Sequence, residues 1–169
     1  EADARPYDVI VLANVGSLSG PTVSWLEGWV ARGGCLLVTL GDHAADPTAL
    51  ESLNSRLWRA DESGLLPAHL RHHVAVESRY SSYFRAATFV EDHPALAFFA
   101  DERWRPYLTE LPIYEFVACE PLSTARALIR LDDAEQSPLL VERTYERGRV
   151  FLWTSSIDGD WNVFPRSPA

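Results

Sequence analysis

The chain has 169 residues, of which 47% are hydrophobic, and a formal net charge of -9 at pH 7. That length can bury a sizeable core, whereas the negative charge argues against nucleic acid and against anionic membrane surfaces, both of which need a cationic partner. No run approaches the ~20 apolar residues of a membrane-spanning helix. We therefore expect contact with a membrane only through segments outside this chain.

The composition also bears on what kind of chain this is. It contains no Met, so we expect a mature form or an excised domain of a larger protein. No repeat, low-complexity tract or change in composition divides it. We interpret residues 1–169 as one domain.

The first third predicts a strand–helix–strand unit. Residues 8–13 form a continuous apolar run, which is typical of a strand buried on both faces of a sheet. Pro21 suits the first turn of a helix, and Gly33 is a suitable helix end. The apolar face of that helix is predicted to consist of Val23, Leu26, Trp29 and Val30. Residues 35–40 are a second buried strand. Such crossovers are nearly always right-handed, with parallel strands.

The middle of the chain is less regular. Residues 48–58 have the spacing of a helix. Residues 61–112 suggest irregular structure with short elements, among them a brief strand over 74–76 and a helical turn over 94–99.

The last third predicts four strands, at 114–119, 125–131, 138–145 and 149–155. Their short polar connections favour antiparallel neighbours, because parallel pairs need a long crossover. Gly148 is expected to supply the turn of the last hairpin. Together these elements predict an α/β, flavodoxin-like three-layer sandwich with a mostly parallel sheet and antiparallel C-terminal strands.

Two stretches carry a family resemblance: YDVIVLANV (7–15) followed by WLEGWVARGGCLLVTLGD (25–42), and SPLLVERTYERGRVFLWTS (137–155). They resemble the non-catalytic branch of the class I glutamine amidotransferase-like superfamily, nearest to a domain of bacterial membrane-anchored proteins that also carry a von Willebrand factor A-like region. They also resemble the amidotransferase-like middle domain of some bacterial β-galactosidases.

The resemblance implies where a nucleophile would lie. Catalytic members have a cysteine in a strand-to-helix turn and a His and a Glu after a later strand. Here Thr39 takes the cysteine position, and no His-x-Glu follows Ser155. An unassisted threonine hydroxyl is a poor nucleophile. We expect no catalytic residues, no cofactor and no amidotransferase activity.

A ligand crevice is the remaining site hypothesis, because open α/β sheets bind ligands at the carboxyl ends of their strands. The candidate ligand-binding residues are Asn14, Ser17, Thr39, Asp42, His43, Asp158 and Trp161. No spacing matches a metal motif, so we predict no metal. The alternative is that Asp42 and Asp46 cap the helix that follows them.

Three functions follow from these features. The first is a non-catalytic interaction or structural domain of a larger, membrane-anchored, extracytoplasmic bacterial protein, which binds another protein or other domains of its own chain. The second is a carbohydrate-binding or hydrolase-accessory domain, which needs Trp161 or Trp104 exposed beside the crevice. The third is a metal-dependent hydrolase that uses Asp42, His43 and Asp158.

Other residues have plainer interpretations. His69, His72 and His73 are predicted to form a surface or partly buried polar patch. Cys35 and Cys119 are predicted to be buried free thiols. The charged residues of the last hairpin suggest cross-strand salt bridges, with partner docking as the alternative; they are Glu142, Arg143, Arg147 and Arg149.

Overall fold

The computed structural model describes residues 7–166. Its strands are β1 (Val9–Ala13), β2 (Cys35–Thr39), β3 (Ala68–Ala75), β4 (Ala86–Phe89), β5 (Glu115–Pro121), β6 (Arg126–Leu131), β7 (Pro138–Tyr145) and β8 (Gly148–Trp153). Its helices are α1 (Gly20–Ala31), α2 (Pro47–Leu57) and α3 (Pro106–Thr109), and short 3-10 turns cover Asp42–Ala45, Ala97–Ala100 and Phe164–Arg166. No helix in this range is long and apolar enough to span a membrane.

The main sheet has six strands in the order β1-β2-β8-β7-β6-β4. β1, β2 and β8 are parallel, and the β8-β7, β7-β6 and β6-β4 pairs are antiparallel. The predicted α/β class and the antiparallel C-terminal part of the sheet are confirmed. The sheet is mixed and partly parallel, with two parallel and three antiparallel strand pairs.

Helix α1 forms where its local sequence favours it. The Ser19 hydroxyl accepts a hydrogen bond from Thr22 N at 3.2 Å, and Pro21 stands in the first turn. The helix ends at Gly33, whose φ of 110° suits glycine. Its buried face is the predicted one, made of Val23, Leu26, Trp29 and Val30.

Helix α2 shows the same local control. Asp46 Oδ1 accepts a hydrogen bond from Thr48 N at 2.8 Å and so caps the helix. The Thr48 hydroxyl donates to the same oxygen at 2.8 Å, and this bond together with the one from Thr48 N lowers the pKa of Asp46. The buried face consists of Leu50, Leu53 and Leu57. The interpretation of Asp46 as a cap is therefore confirmed.

Strand β1 was expected to be buried on both faces, and this was wrong. β1 is the end strand of the sheet, and Val9 and Val11 remain 51% and 46% exposed. Ile10 and Leu12, on the other face, pack against the core beneath the helices. The apolar run therefore predicts the strand correctly but not its position at an edge.

The middle segment contains more strand than predicted. β3 is eight residues long rather than the brief strand at 74–76, and β4 was not predicted. The turn predicted at 94–99 overlaps a 3-10 turn at Ala97–Ala100, and Leu96 beside it is buried.

Strand β5 pairs with β3 in a separate two-stranded sheet rather than with β6. The physical reason is that the side chains of β5 are buried on both faces of the strand. Phe116 and Ala118 belong to one apolar cluster, and Val117 belongs to the other. β5 therefore runs between two parts of the core, and the short connection from 121 to 126 carries the chain from one sheet to the other.

The hairpin of β7 and β8 has the predicted pairing but a different role for Gly148. Glu146 carries the positive φ of the turn, at 52°. A Cβ on Gly148 would lie 2.1 Å from the carbonyl oxygen of Val30 and 2.4 Å from that of Gly34. This glycine is required because the end of α1 lies directly against the strand.

Arg143 was expected to form a cross-strand salt bridge, and this was wrong. Its side chain lies on the helix side of β7, is 8% exposed, and donates hydrogen bonds to the carbonyl oxygens of Gly64 at 2.9 Å and Glu62 at 2.7 Å. Burial lowers the pKa of the guanidinium. The expected cross-strand pair does exist between Glu142 and Arg149, at 2.8 Å.

Candidate functional site at the carboxyl ends of the parallel strands

The parallel strands β1, β2 and β8 end at the same edge of the sheet, so the segments that follow them meet. Asn14 comes directly after β1, Leu40 after β2 and Thr154 after β8. Leu40 N donates to Ser155 O at 3.1 Å, and Asn14 N donates to Thr39 O at 3.0 Å. The sequence analysis expected these segments to meet at the carboxyl ends of the strands, and they do.

Asn14 supports the loop after β2. Its backbone is left-handed, with φ of 49°, and its Oδ1 accepts a hydrogen bond from His43 N at 3.0 Å. A Cβ on Gly41 would lie 2.7 Å from Asn14 Cγ. Only a residue without a side chain fits at position 41 beside Asn14. Asn14 was a predicted ligand residue, and its Oδ1 is used to hold the loop through His43 N.

Thr39, which the family resemblance places at the position of the nucleophile, is 1% exposed. Its hydroxyl is buried and has no hydrogen-bond partner among residues 7–166. A general base must lie within hydrogen-bond reach of the proton it removes. Nothing in the described part of the chain meets that condition for Thr39.

Trp161 was predicted to be an exposed contact residue, and the structure corrects this, since the side chain is 1% exposed. Its indole Nε1 donates to Asp42 Oδ1 at 3.1 Å, and its ring lies on the His73 ring with centroids 4.8 Å apart. Trp161 therefore fills the space between the loop after β2 and strand β3. Asp42 accepts this bond and does not use its side chain as a helix cap.

An ion-pair network lies behind Trp161, and sequence reasoning missed it. His73 Nε2 lies 2.9 Å from Glu115 Oε2, and Arg79 binds the other oxygen of the same carboxylate. Glu115 is partly buried, with 18% of its side chain exposed. These residues are 36 and 42 positions apart in the chain, so no local spacing could have indicated the network.

The C-terminal segment joins the two sheets at this place. Asn162 is fully buried, and its amide donates to Ser155 Oγ at 3.0 Å and to Ser156 O at 2.7 Å. Ser155 Oγ in turn donates to Glu115 O at 2.8 Å. Tyr114 N also donates to Trp161 O at 2.8 Å. The polar groups of this segment are thus used in structural bonds.

The remaining candidates lie on the surface. Ser17, His43 and Asp158 are exposed, and Asp158 Oδ1 accepts a bond from Asp160 N at 3.0 Å in its own loop. The seven predicted residues therefore divide into groups. Thr39 and Trp161 are buried, Asn14 and Asp42 are committed to internal bonds, and the other three face solvent.

The three histidines of the middle segment do not form a single patch. The His69 ring contacts the Trp58 ring at a tilt of 57°, with centroids 4.5 Å apart. Burial and, after it, the charge of Arg71 lower the pKa of His69. His72 is exposed, and His73 faces Trp161. Because they lie on strand β3, the three side chains that were predicted to form one polar patch have separate surroundings.

The described residues were searched for groups that could bind a metal ion and for reactive cysteines. No group of three or more His, Cys, Asp or Glu in residues 7–166 is placed to hold a metal ion. Cys35 and Cys119 are free and partly buried. Burial raises the pKa of the Cys119 thiol to about 12, so this cysteine is a structural rather than a reactive one.

Trp104, the other aromatic named for sugar contact, is half-buried away from the crevice in an aromatic cluster. Its ring centroid lies 4.8 Å from that of Phe98, which is 58% exposed, and 5.7 Å from that of Tyr107. The carbohydrate hypothesis required an exposed aromatic at the crevice. Neither of its two named tryptophans provides one.

Comparison with solved structures identifies the fold. The cytoplasmic protein STM1381 from Salmonella typhimurium LT2 aligns with a TM-score of 0.67 at 20% identity, over 95% of this chain and 65% of that one. The cytoplasmic protein STM3548 from Salmonella typhimurium aligns with a TM-score of 0.66 at 17% identity, over 94% and 64%. A β-galactosidase from Bacillus circulans sp. alkalophilus aligns with a TM-score of 0.62 at 14% identity, over 94% and 21%.

The chain therefore spans just under two thirds of the Salmonella proteins and about a fifth of the β-galactosidase. A scan against protein-family models and a search of curated proteins found no match. The fold is the flavodoxin-like, glutamine amidotransferase-like α/β fold, and these alignments show a likeness of fold.

Proposed function

We propose that this chain is a non-catalytic interaction or structural domain of a larger protein. The observation that carries the proposal is the state of Thr39, whose hydroxyl is buried at the nucleophile position with no partner in the described residues. The space in front of the strand ends holds Trp161 and its bond to Asp42.

The interaction role has a separate basis. Polar groups around the crevice bind one another, whereas several exposed apolar side chains lie elsewhere, namely Val9 and Val11 on β1 and Phe98 in the aromatic cluster. A domain that presents apolar surface away from its ancestral site is suited to contact with protein, either other domains of its own chain or a separate partner.

We further propose that the larger protein is bacterial and membrane-anchored, and that this domain lies outside the cytoplasm. It rests on the resemblance of residues 7–15, 25–42 and 137–155 to the domain found beside von Willebrand factor A-like regions. Fractionation of cells that express the full gene product, followed by protease treatment of intact cells, tests it. Recovery in the soluble fraction, or protection of the domain from external protease, would contradict it.

The catalytic question has a sharper test. Purified chain, Thr39→Cys and Thr39→Ala are assayed for ammonia release from glutamine. We expect no release from any of them, because a thiol at position 39 still has no base beside it. Thermal unfolding of each variant shows that it is folded. Release by the natural chain above the Thr39→Ala level would overturn the non-catalytic proposal.

A further inference from the structure

Three aromatic side chains of the middle segment form a cluster outside the apolar cores. The ring centroids of Phe98 and Trp104 lie 4.8 Å apart, and those of Trp104 and Tyr107 lie 5.7 Å apart. Within residues 7–166 none of the three belongs to either cluster of core residues, whereas the neighbouring Phe99 packs against one of them. The aromatic cluster of Phe98, Trp104 and Tyr107 therefore lies at the surface.

The aromatic cluster presents apolar surface to solvent. Phe98 is 58% exposed, and Trp104 and Tyr107 are half-buried. The Arg103 guanidinium lies over the Trp104 ring, with Cζ 4.9 Å from the ring centroid. Aromatic residues and arginine are enriched in protein interfaces, and Trp, Tyr and Arg most often carry the binding energy. This composition is that of a protein-binding surface.

Protein is a better match than carbohydrate for this cluster. A sugar that stacks on an aromatic ring needs a free ring face. The Trp104 ring has Phe98 against it, at an interplanar angle of 30°, and Arg103 over it. These contacts compete with a sugar for the ring, whereas the exposed part of Phe98 can pack against another apolar side chain.

Negative charge is in excess around the aromatic cluster. Asp101 Oδ1 accepts a hydrogen bond from Arg103 N at 2.8 Å, so this carboxylate lies beside the residue that covers Trp104. Arg105 binds Glu91 at 2.7 Å and holds a second carboxylate nearby. Two arginines leave a net charge of -2 over residues 91–107, where the exposed carboxylates are Glu91, Asp92, Asp101 and Glu102. A partner with positive charge beside an apolar side chain is complementary to this surface.

We propose that the aromatic cluster docks a cationic segment of a partner protein, in which Lys or Arg side chains flank a large aliphatic or aromatic side chain. The large side chain packs against Phe98, and the cations face the carboxylates beside the cluster. Complementary charge speeds the encounter and rejects partners of like charge. This inference rests on the proposed interaction role and adds the chemistry of the partner.

The test is selection of peptides from a random phage-displayed library on the purified chain, followed by fluorescence anisotropy with the selected peptides made synthetically. We expect these peptides to share Lys or Arg residues beside an aromatic or large aliphatic residue. Their binding should weaken roughly fivefold or more between low and high salt, because salt screens exposed charges.

Variants of the chain assign the binding to the aromatic cluster. Phe98→Ser removes the apolar anchor and should weaken peptide binding about tenfold or more. Asp101→Asn with Glu102→Gln removes two charges but keeps an acceptor for Arg103 N, so it should weaken binding and reduce the salt dependence. Tyr80→Ser is the matched control, because Tyr80 is a fully exposed aromatic residue outside the cluster. It should leave binding unchanged, and circular dichroism shows that each variant is folded.

Several results overturn the proposal. They are a library that yields no binding peptide, selected peptides that lack cationic residues, and binding that Phe98→Ser leaves unchanged. Self-association in sedimentation velocity that Phe98→Ser abolishes would assign the surface to a second copy, and oligosaccharide binding on a glycan array that Phe98→Ser abolishes would assign it to a sugar. Either assignment also overturns the proposal. Ammonia release in the glutamine assay would refute the proposed function and leave the peptide result standing, so the two failures are distinguishable.

Discussion

The helix-covered parallel part of the molecule and the part that contains the small β3-β5 sheet are held by different kinds of contact. In the first, each long helix is capped by a residue two or three positions before its partner, as Asp46 caps α2 through Thr48. In the second, Arg143 reaches the carbonyl of Glu62 across 81 positions, and the Glu62 carboxylate binds Ser123 and Thr124. Local bonds position the helices, and long-range bonds position the middle segment.

The difference shows how the strand ends of this scaffold can be covered while the scaffold itself is kept. The parallel strands and their helices keep the arrangement that brings Asn14, Thr39 and Ser155 together. The middle and C-terminal segments then fill the space with Trp161, which contacts both parts through Asp42 and His73.

Removal of the Trp161 side chain should break the contacts with Asp42 and His73. We expect it to lower stability more than any other substitution proposed below. Replacing Trp161 with Ala leaves a cavity between the two parts and should cost about 3–5 kcal/mol of unfolding free energy. Trp161→Phe keeps most of the volume and loses the N–H bond to Asp42, so it should cost less, with the lost bond accounting for about 1 kcal/mol. Urea unfolding measures both. Equal losses would show that the ring does not fill the gap.

Arg143 tests the long-range contacts alone. Arg143→Met keeps the apolar stem but leaves the carbonyls of Glu62 and Gly64 without their donor, and we expect a loss of about 2–3 kcal/mol. Arg147→Met, in the exposed turn of the same hairpin, should change stability by less than about 0.5 kcal/mol. Similar effects of the two substitutions would contradict the assigned role of Arg143.

Asp46 tests the local contacts. Asp46→Ala removes the cap of α2 and should cost about 1 kcal/mol, whereas Asp46→Asn retains an acceptor and should cost much less. Thermal unfolding compares them. Because the effect is local, hydrogen exchange should quicken in the first turn of α2 and not in β3.

Acid should weaken the contacts of the Glu62 carboxylate with Ser123 and Thr124. We expect this to be the smallest of the four changes in stability. Hydrogen bonds from Thr124 and Ser123 lower the pKa of Glu62 below its ordinary value of 4.5. A lowered folded-state pKa gives stability above the unfolded-state value, and that stability is lost as pH falls toward the folded-state value. The difference in stability between the natural chain and Glu62→Gln should therefore shrink between about pH 6 and about pH 3. A constant difference would show that the carboxylate charge has no part in it.

The success of the sequence predictions follows the same division. The buried face of α1, the cap of α2 and the β7-β8 hairpin depend on residues a few positions apart, and all three were predicted correctly. The predictions failed where a residue's environment comes from distant segments. Trp161 was predicted to be exposed and Arg143 to form a cross-strand salt bridge, and both are buried against residues more than 75 positions away.

The sequence by itself determined the elements of the α/β unit, because apolar periodicity, caps and glycines act over one or two turns of chain. The family resemblance of residues 25–42 also implied that Thr39 takes the position at which catalytic members have a cysteine. The tertiary structure decided that β1 is an edge, that β5 joins β3, and that Trp161 closes the crevice. Each of these depends on which distant apolar and polar groups meet, and that depends on the packing of the whole chain rather than on any local pattern.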